Sequence, residues 1–169
     1  MGAHPPARRR WLLFMIEPGT IIVDTREQNP YSFERMKAAT LHTGDYSIEG
    51  LEEEVCIERK TLSDAYGTIG QGRERFEREL ERMAAMRYAA IIIEAGMIQF
   101  LREPPQYSRL SPKTAIGSLL SWSVKFGVHI FFCGDRNHGE AATAKLLEKY
   151  HKYAMQRAEK LKNGSHDHD

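Results

Sequence analysis

The sequence predicts an α/β fold: a mixed, restriction-endonuclease-like β-sheet flanked by helices on both faces. Three observations carry that expectation. Short apolar and β-branched runs recur at strand length, "TIIVDT" (20–25), "YAAIIIEAG" (88–96) and "VHIFFCG" (128–134). Segments between and after them carry apolar residues at helical spacing. The run at 88–96 is too continuously apolar for a half-solvated strand and suits one buried on both faces, as in parallel sheets.

The first strand, 20–25, ends at Asp24. "REQNPYSF" is rich in turn residues, and Pro30 disfavours helix at Asn29. "AATLHTGDYSI" (38–48) and "EEVCIERK" (53–60) read as a hairpin, joined at Glu49-Gly50-Leu51-Glu52. Thr61-x-x-Asp64 is a capping box that starts a helix, interrupted around "YGTIGQG" (66–72). A longer helix over 73–87 follows and places Phe76, Leu80 and Met83 on one core stripe. After the strand at 88–96, "REPPQYSRLSP" is a loop, and Ser111-Pro112 starts a helix that stops near Gly127. A strand at 128–134, read as buried, and a last helix over 139–162 complete the order. The organisation is then a disordered leader (1–18), one domain (19–162) and a disordered tail (163–169). Met15 is a candidate natural start.

Composition narrows the class. At 169 residues the chain can bury roughly two thirds of its unfolded surface in one domain. Apolar residues make up 41% and charged residues 28%, a globular balance that argues against disordered and membrane classes. No apolar run approaches the ~20 residues of a membrane span. The leader "MGAHPPARRRWLLFMIEPGT" has a short apolar run behind its arginines and no small-residue cleavage site, so it is not an export signal. Cys56 and Cys133 lie in apolar strand-like runs and read as core residues, which suits a reducing cytoplasm. The polar end "NGSHDHD" reads as a frayed terminus. With a net charge of only +1, an anionic partner must be held by local patches.

Charges at strand ends are the informative feature. Asp24, Asp45 and Glu58 each close or flank a predicted strand, where burial makes charge costly. Two carboxylates ~4 Å apart repel by roughly 4 kcal/mol at an effective dielectric near 20, so a convergent set needs a shared proton or cation. Oxygen donors without a supporting Cys or His set favour Mg²⁺ or Mn²⁺ over zinc. Lys60 follows Glu58 by two residues and shares its face of the strand. A lysine beside a carboxylate-held metal suits phosphodiester hydrolysis. Taken alone, Glu58 and Lys60 also fit a simple ion pair, and Asp64 fits its capping role.

Considered together, "VDTRE" (23–27), "GD" (44–45) and "ERKTLSD" (58–64) resemble the XPF-type nuclease domain of the PD-(D/E)xK superfamily, whose signature is GD, a variable gap, and ERKxxxD. "IGQGR" (69–73) matches as well, and the resemblance covers roughly 20–150. It implies a metal-dependent DNA endonuclease selective for flap, fork or junction DNA, acting in repair, recombination or phage DNA processing. Asp45 and Glu58 would be the central Mg²⁺ ligands, Asp24 part of the same cluster and Glu27 a supporting acid. Mn²⁺ would substitute. Lys60 would be the catalytic lysine, with Arg59 and Asp64 supporting the site. Members that choose branched DNA carry a tandem helix-hairpin-helix domain after the nuclease. This chain ends soon after the nuclease fold, which implies a compact stand-alone form of bacterial or phage type.

For DNA contacts, Gln71 and Arg73 sit at a helix start, where backbone N–H groups and an arginine can meet phosphate. Arg75, Arg78 and Arg82 form a stripe away from the core face, either a solvated face laced with pairs such as Glu74–Arg78 or a DNA contact. Tyr107 could stack on an unpaired base, with Arg109 and Lys113 at phosphates, or the loop could be an ordinary exposed one. Trp122 reads as core or as a dimer face, and the family implies a possible homodimer through late helices. His129 and His138 read as structural. The expected location is the cytoplasm, associated with the nucleoid when on DNA. The alternatives are a restriction-like or recombination nuclease with another DNA substrate, or a catalytically silent DNA-binding or dimerisation partner.

Overall fold

The computed structural model describes residues 19–164; the leader over 1–18, the start at Met15 and the tail residues 165–169 lie outside the described residues. Six strands form one sheet: β1 (Ile21–Asp24), β2 (Met36–Ala39), β3 (Tyr46–Ile48), β4 (Val55–Thr61), β5 (Tyr88–Glu94) and β6 (His129–Phe132). The helices are α1 (Leu62–Ile69), α2 (Arg73–Ala84), α3 (Met97–Arg102), α4 (Pro112–Phe126) and α5 (Arg136–Gly164). Strand order is β2-β1-β3-β4-β5-β6. β3 is antiparallel to β1 and β4; the other neighbours, including β4–β5 and β5–β6, are parallel. The mixed sheet with helices on both faces is the fold class the sequence predicts.

Period-two alternation divides β5 between two cores. Ala89, Ile91 and Ile93 face α1 to α4, among Phe76, Leu80, Met83, Leu119 and Trp122. Ala90 and Ile92 face α5, among Val55, Ile57, Leu147, Tyr150 and Ala154. Trp122 is a core residue: its ring lies 5.5 Å from that of Phe76, and its Nε1 donates to Glu77 at 2.9 Å. Cys56 is buried, Cys133 is half-buried, and both are free thiols.

The helix ends follow their residues. Thr61 Oγ1 accepts from the Asp64 amide at 3.1 Å and caps α1. Ser111 does the same for the Thr114 amide at 3.1 Å ahead of Pro112 in α4, which ends at the left-handed Gly127.

Several expectations change. The predicted first hairpin strand, 38–48, divides into the edge strand β2, parallel to β1, and the short β3. The chain between them leaves the ladder because the Leu41 amide donates to the Asp24 carboxylate at 2.7 Å and Gly44 takes a φ of 75°. β6 is not buried on both faces: it is the last strand in the order, flanked on one side only, and His129 and Phe131 are exposed. His129 stacks on Tyr88 at 4.9 Å, a structural role. α3 has no counterpart in the sequence reading. It is a short helix pinned by buried Phe100, whose carbonyl accepts from Tyr66 Oη at 2.7 Å. α2 ends at Ala84 rather than Arg87, and α5 runs from Arg136 to Gly164 rather than from 139 to 162.

Leu147 is 1% exposed and Val124 is 87% exposed. Leu147→Ala is expected to cost ~2–5 kcal/mol in chemical denaturation. Val124→Ala is expected to stay within about 0.5 kcal/mol.

Candidate active site

Strand register brings the charged strand ends together. Val23 pairs with Tyr46, and Tyr46 with Ile57, so Asp24, Asp45 and Glu58 stand in a row across β1, the start of β3 and β4. Main-chain bonds extend that row: the Asp24 amide donates to the Asp45 carbonyl at 2.8 Å and the Asp45 amide to the Ile57 carbonyl at 2.9 Å. Alternation along β4 then decides which side chains meet. Glu58 and Lys60 share the face toward α1 and α2, where Lys60 Nζ lies 2.5 Å from Glu58 Oε1 and 4.7 Å from the centre of the Phe76 ring. Arg59 takes the opposite face.

The three acids differ in what they can still bind. Asp24 is saturated: Oδ1 accepts from the Arg26 amide (2.8 Å) and Nε (2.7 Å), and Oδ2 from Arg26 Nη2 (3.0 Å) and the Leu41 amide (2.7 Å). Burial raises its proton affinity, but these donors outweigh it and hold the carboxyl below its usual value. Asp24 therefore ties the end of β1 to the following segment, with both of its oxygens engaged inside the chain. Among the described residues no group of three or more His, Cys, Asp or Glu side chains is arranged to hold a metal. Asp45 and Glu58 are different. Asp45 Oδ2 accepts from the Arg59 amide at 2.7 Å and Glu58 Oε1 from Lys60, leaving one oxygen of each without a partner among the described residues.

Electrostatics mark the same pair. Burial first, then the Asp45 charge, pushes the Glu58 carboxyl up despite Lys60. Burial also raises Asp45, helped by Glu27 and Glu79, against the Arg59 amide and Lys60. Burial alone would lower Lys60, but Glu58, Asp45 and Glu79 reverse this and leave it firmly protonated. One cation is thus built in, while the paired carboxylates retain an appetite for a proton or a second cation. The donor set fits a hard divalent cation: two carboxylates with uncommitted oxygens, neither hydrogen-bonded to a thiol or imidazole among the described residues.

These residues line an open cleft of about 610 Å³ between the sheet end, α1 and α2. Glu27 and Asp64 are on its wall, and Arg26, His42, Arg75, Glu79 and Arg82 complete it. Glu27 Oε1 accepts from the Asn29 amide at 2.8 Å and from Arg59 at 3.4 Å. Asp64 Oδ2 accepts from the Thr61 hydroxyl at 2.6 Å, the capping contact. Arg59 reaches away from the cleft floor, donating to both oxygens of Glu94 at 2.7 and 3.1 Å and stacking 5.2 Å from the Tyr31 ring centre. It braces the site from the far side of the sheet.

The expected DNA-contact residues are not one cluster. Only Arg75 lines the cleft; Gln71, Arg73, Tyr107, Arg109 and Lys113 do not. Arg73 is engaged within the fold: it donates to Ser118 Oγ at 3.0 Å, pairs with Glu77 at 3.1 Å and stacks 5.1 Å from the Trp122 ring centre. These contacts pack α2 on α4. The guanidinium groups of Arg75 and Arg78 have no partner among the described residues, so the Glu74–Arg78 pairing is absent there. Asp135 caps α5 by accepting from the His138 amide at 2.9 Å, and the His138 Nδ1 lies 2.8 Å from the same oxygen. The sequence reading missed His42 and Glu79. His42 lies two residues before the GD pair, and Glu79 lies one turn after Arg75, a spacing that was visible; nothing local marked either as facing the site.

The ERCC4 domain family matches residues 23–147. The chain is 28% identical over 137 residues to the Methanocaldococcus jannaschii protein MJ1505, named an ATP-dependent RNA helicase; the match covers 79% of this chain and 16% of that relative's length. XPF from Aeropyrum pernix superposes with a TM-score of 0.59 at 19% identity, over 85% of this chain and 69% of that one. The same archaeal protein in complex with DNA gives 0.60 at 21% identity, over 78% and 64%. These two likenesses show the fold.

Because Asp45 and Glu58 hold protons more tightly folded than unfolded, they add stability at low pH that is lost as pH rises through their raised values. Glu58→Gln is therefore expected to stabilise the metal-free protein at about pH 8 by on the order of 1 kcal/mol, and to do little at about pH 5. Thermal melts at the two pH values check this. An equal effect at both would mean the carboxylate is not under charge stress.

Proposed function

The chain belongs to the ERCC4 domain family, and from that premise we propose that it is a divalent-metal-dependent DNA endonuclease selective for branched or junction DNA. Mg²⁺ is the proposed physiological ion, with Mn²⁺ as substitute. The observation that carries the reading is the meeting of Asp45, Glu58 and Lys60 in a cleft whose rim carries Arg26, Arg75 and Arg82. Asp45 and Glu58 are the residues that would hold the cation through their uncommitted oxygens. When bound, it supplies electrophilic stabilisation of charge on the scissile phosphate.

The chain's own groups do the rest. Lys60 presents a fixed positive charge beside Glu58, where a phosphoryl group gathers negative charge. Glu27, held by Arg59 and the Asn29 amide, keeps a further acid at the cleft wall. Arg75, with no internal partner among the described residues, is placed to meet a backbone phosphate. The cleft is open, as a duplex or fork requires. A silent DNA-binding partner is the weaker reading, because such a protein has no use for a buried and a half-buried carboxylate in mutual repulsion. Action in DNA repair, recombination or phage DNA processing, and a homodimer through late helices, belong to the same proposal. No described helix is long and apolar enough to cross a membrane, and a cytoplasmic, nucleoid-associated location is proposed with the DNA substrate.

Cleavage of labelled single-stranded, duplex, flap, splayed-arm, bubble and four-way-junction DNA, with Mg²⁺, Mn²⁺ or EDTA, tests the reading. Metal-dependent cutting confined to branched forms is expected; binding without cutting in either metal would transfer the protein to the silent class. Asp45→Ala and Lys60→Ala are each expected to lower cleavage by about 100-fold or more while leaving DNA binding near normal in gel-shift titrations. Normal cutting by either variant would overturn the assignment. Arg75→Ala is expected to weaken binding across DNA sequences and to reduce the salt slope by about one. An unchanged slope would remove Arg75 from the interface.

A further inference from the structure

We infer that Glu79 is a positioning residue for Asp45, acting through the turn that carries it; the inference rests on the nuclease reading of the cleft. Glu79 projects from α2 across the cleft and accepts, at Oε1, from the Gly44 amide at 3.2 Å and the Thr43 hydroxyl at 3.3 Å. Those two residues immediately precede Asp45. Neither donor has another partner among the described residues, and both residues are buried. Without Glu79 they would be left unsatisfied away from water.

The choice of partner is what makes this contact informative. Arg75 and Arg82 lie four residues before and three after Glu79, the spacings at which helical side chains pair, and both line the same cleft. Glu79 forms an ion pair with neither and reaches the turn instead. The turn has no slack. Gly44 has a φ of 75°, and a Cβ there would stand 2.9 Å from Cys56 Cβ and 3.2 Å from the Ile57 carbonyl. The Asp45 amide is already bound to that carbonyl at 2.9 Å. The two peptides flanking Gly44 are therefore held in succession, Thr43–Gly44 by α2 through Glu79 and Gly44–Asp45 by β4. Glu79 sets where the Asp45 carboxylate sits relative to Glu58. A carboxylate that places a metal-holding acid in this way has the leverage of a group that orients a ligand without being one.

Two variants separate placement from charge. Glu79→Gln keeps the acceptor oxygen at the same reach and removes the charge; Glu79→Asp keeps the charge and withdraws the oxygen by one methylene. Mn²⁺ affinity by calorimetry, and cleavage rate at saturating Mn²⁺, are expected to stay near wild type in Glu79→Gln and to fall by about 10–100-fold in Glu79→Asp. Amide hydrogen exchange at Gly44 is expected to accelerate in Glu79→Asp only. The reverse ranking, with Glu79→Gln impaired and Glu79→Asp intact, would make Glu79 an electrostatic or ligating group and overturn the positioning role. So would wild-type behaviour of both. Gly44 exchange needs neither metal nor DNA: a wild-type protein that neither binds Mn²⁺ nor cuts would remove the nuclease reading, and exchange would still decide whether Glu79 holds the turn.

Discussion

Asp45, just before β3, and Glu58, midway along the adjacent antiparallel β4, are neighbours in the sheet, and the surrounding structure keeps them there against their repulsion. Burial strengthens that repulsion by removing the water that would screen it. The fold answers with one permanent counter-charge, Lys60, on the same face of β4. On the proposed reading, the residual charge stress is what would draw a divalent cation to the pair. Main-chain bonds on both sides of Asp45, to β1 and to β4, prevent that relaxation.

The far side of β4 shows how the position is braced. Arg59, Tyr31, Glu94 and Arg136 form a half-buried network in which both guanidinium groups stack on one tyrosine ring, at 5.2 and 5.1 Å, and that tyrosine donates to Glu94 at 2.8 Å. Burial would raise Glu94, but the Arg59 and Tyr31 hydrogen bonds outweigh it and keep it ionised. Removing one member of such a network strands the others. Through Asn29 and Pro30, whose carbonyls accept from Arg59 and Arg136 at 2.7–3.1 Å, the network also fixes the loop that carries Glu27. One strand thus serves two purposes: catalytic-type charges on one face and a load on the loop on the other.

Arginines close together in the sequence have different surroundings in the fold. Arg26, inside the matched motif, clamps Asp24 while leaving its side chain 66% exposed at the cleft rim. Arg73, at a helix start suited to phosphate, is instead held by Ser118, Glu77 and Trp122. Arg75, two residues on, is the one that remains uncommitted at the cleft. At about 100° per residue, Arg73 and Arg75 point to nearly opposite sides of α2, so one meets α4 and the other the cleft.

By itself, the sequence determined the fold class, the order of most elements, the caps at Thr61 and Ser111, and the shared face of Glu58 and Lys60. Each is a local property: strand period places Glu58 and Lys60 on one face, and capping is decided within three residues. Tertiary structure alone decided the rest. The split of 38–48 depends on Asp24 capturing the Leu41 amide, a contact across 17 residues. The meeting of Asp45 with Glu58, the engagement of both Asp24 oxygens, the exposure of β6 as an edge, the Arg73 tether and the reach of Glu79 to Gly44 depend on which elements become neighbours. Hydrogen-bonding capacity is finite, and long-range partners are assigned only when the chain has folded around them.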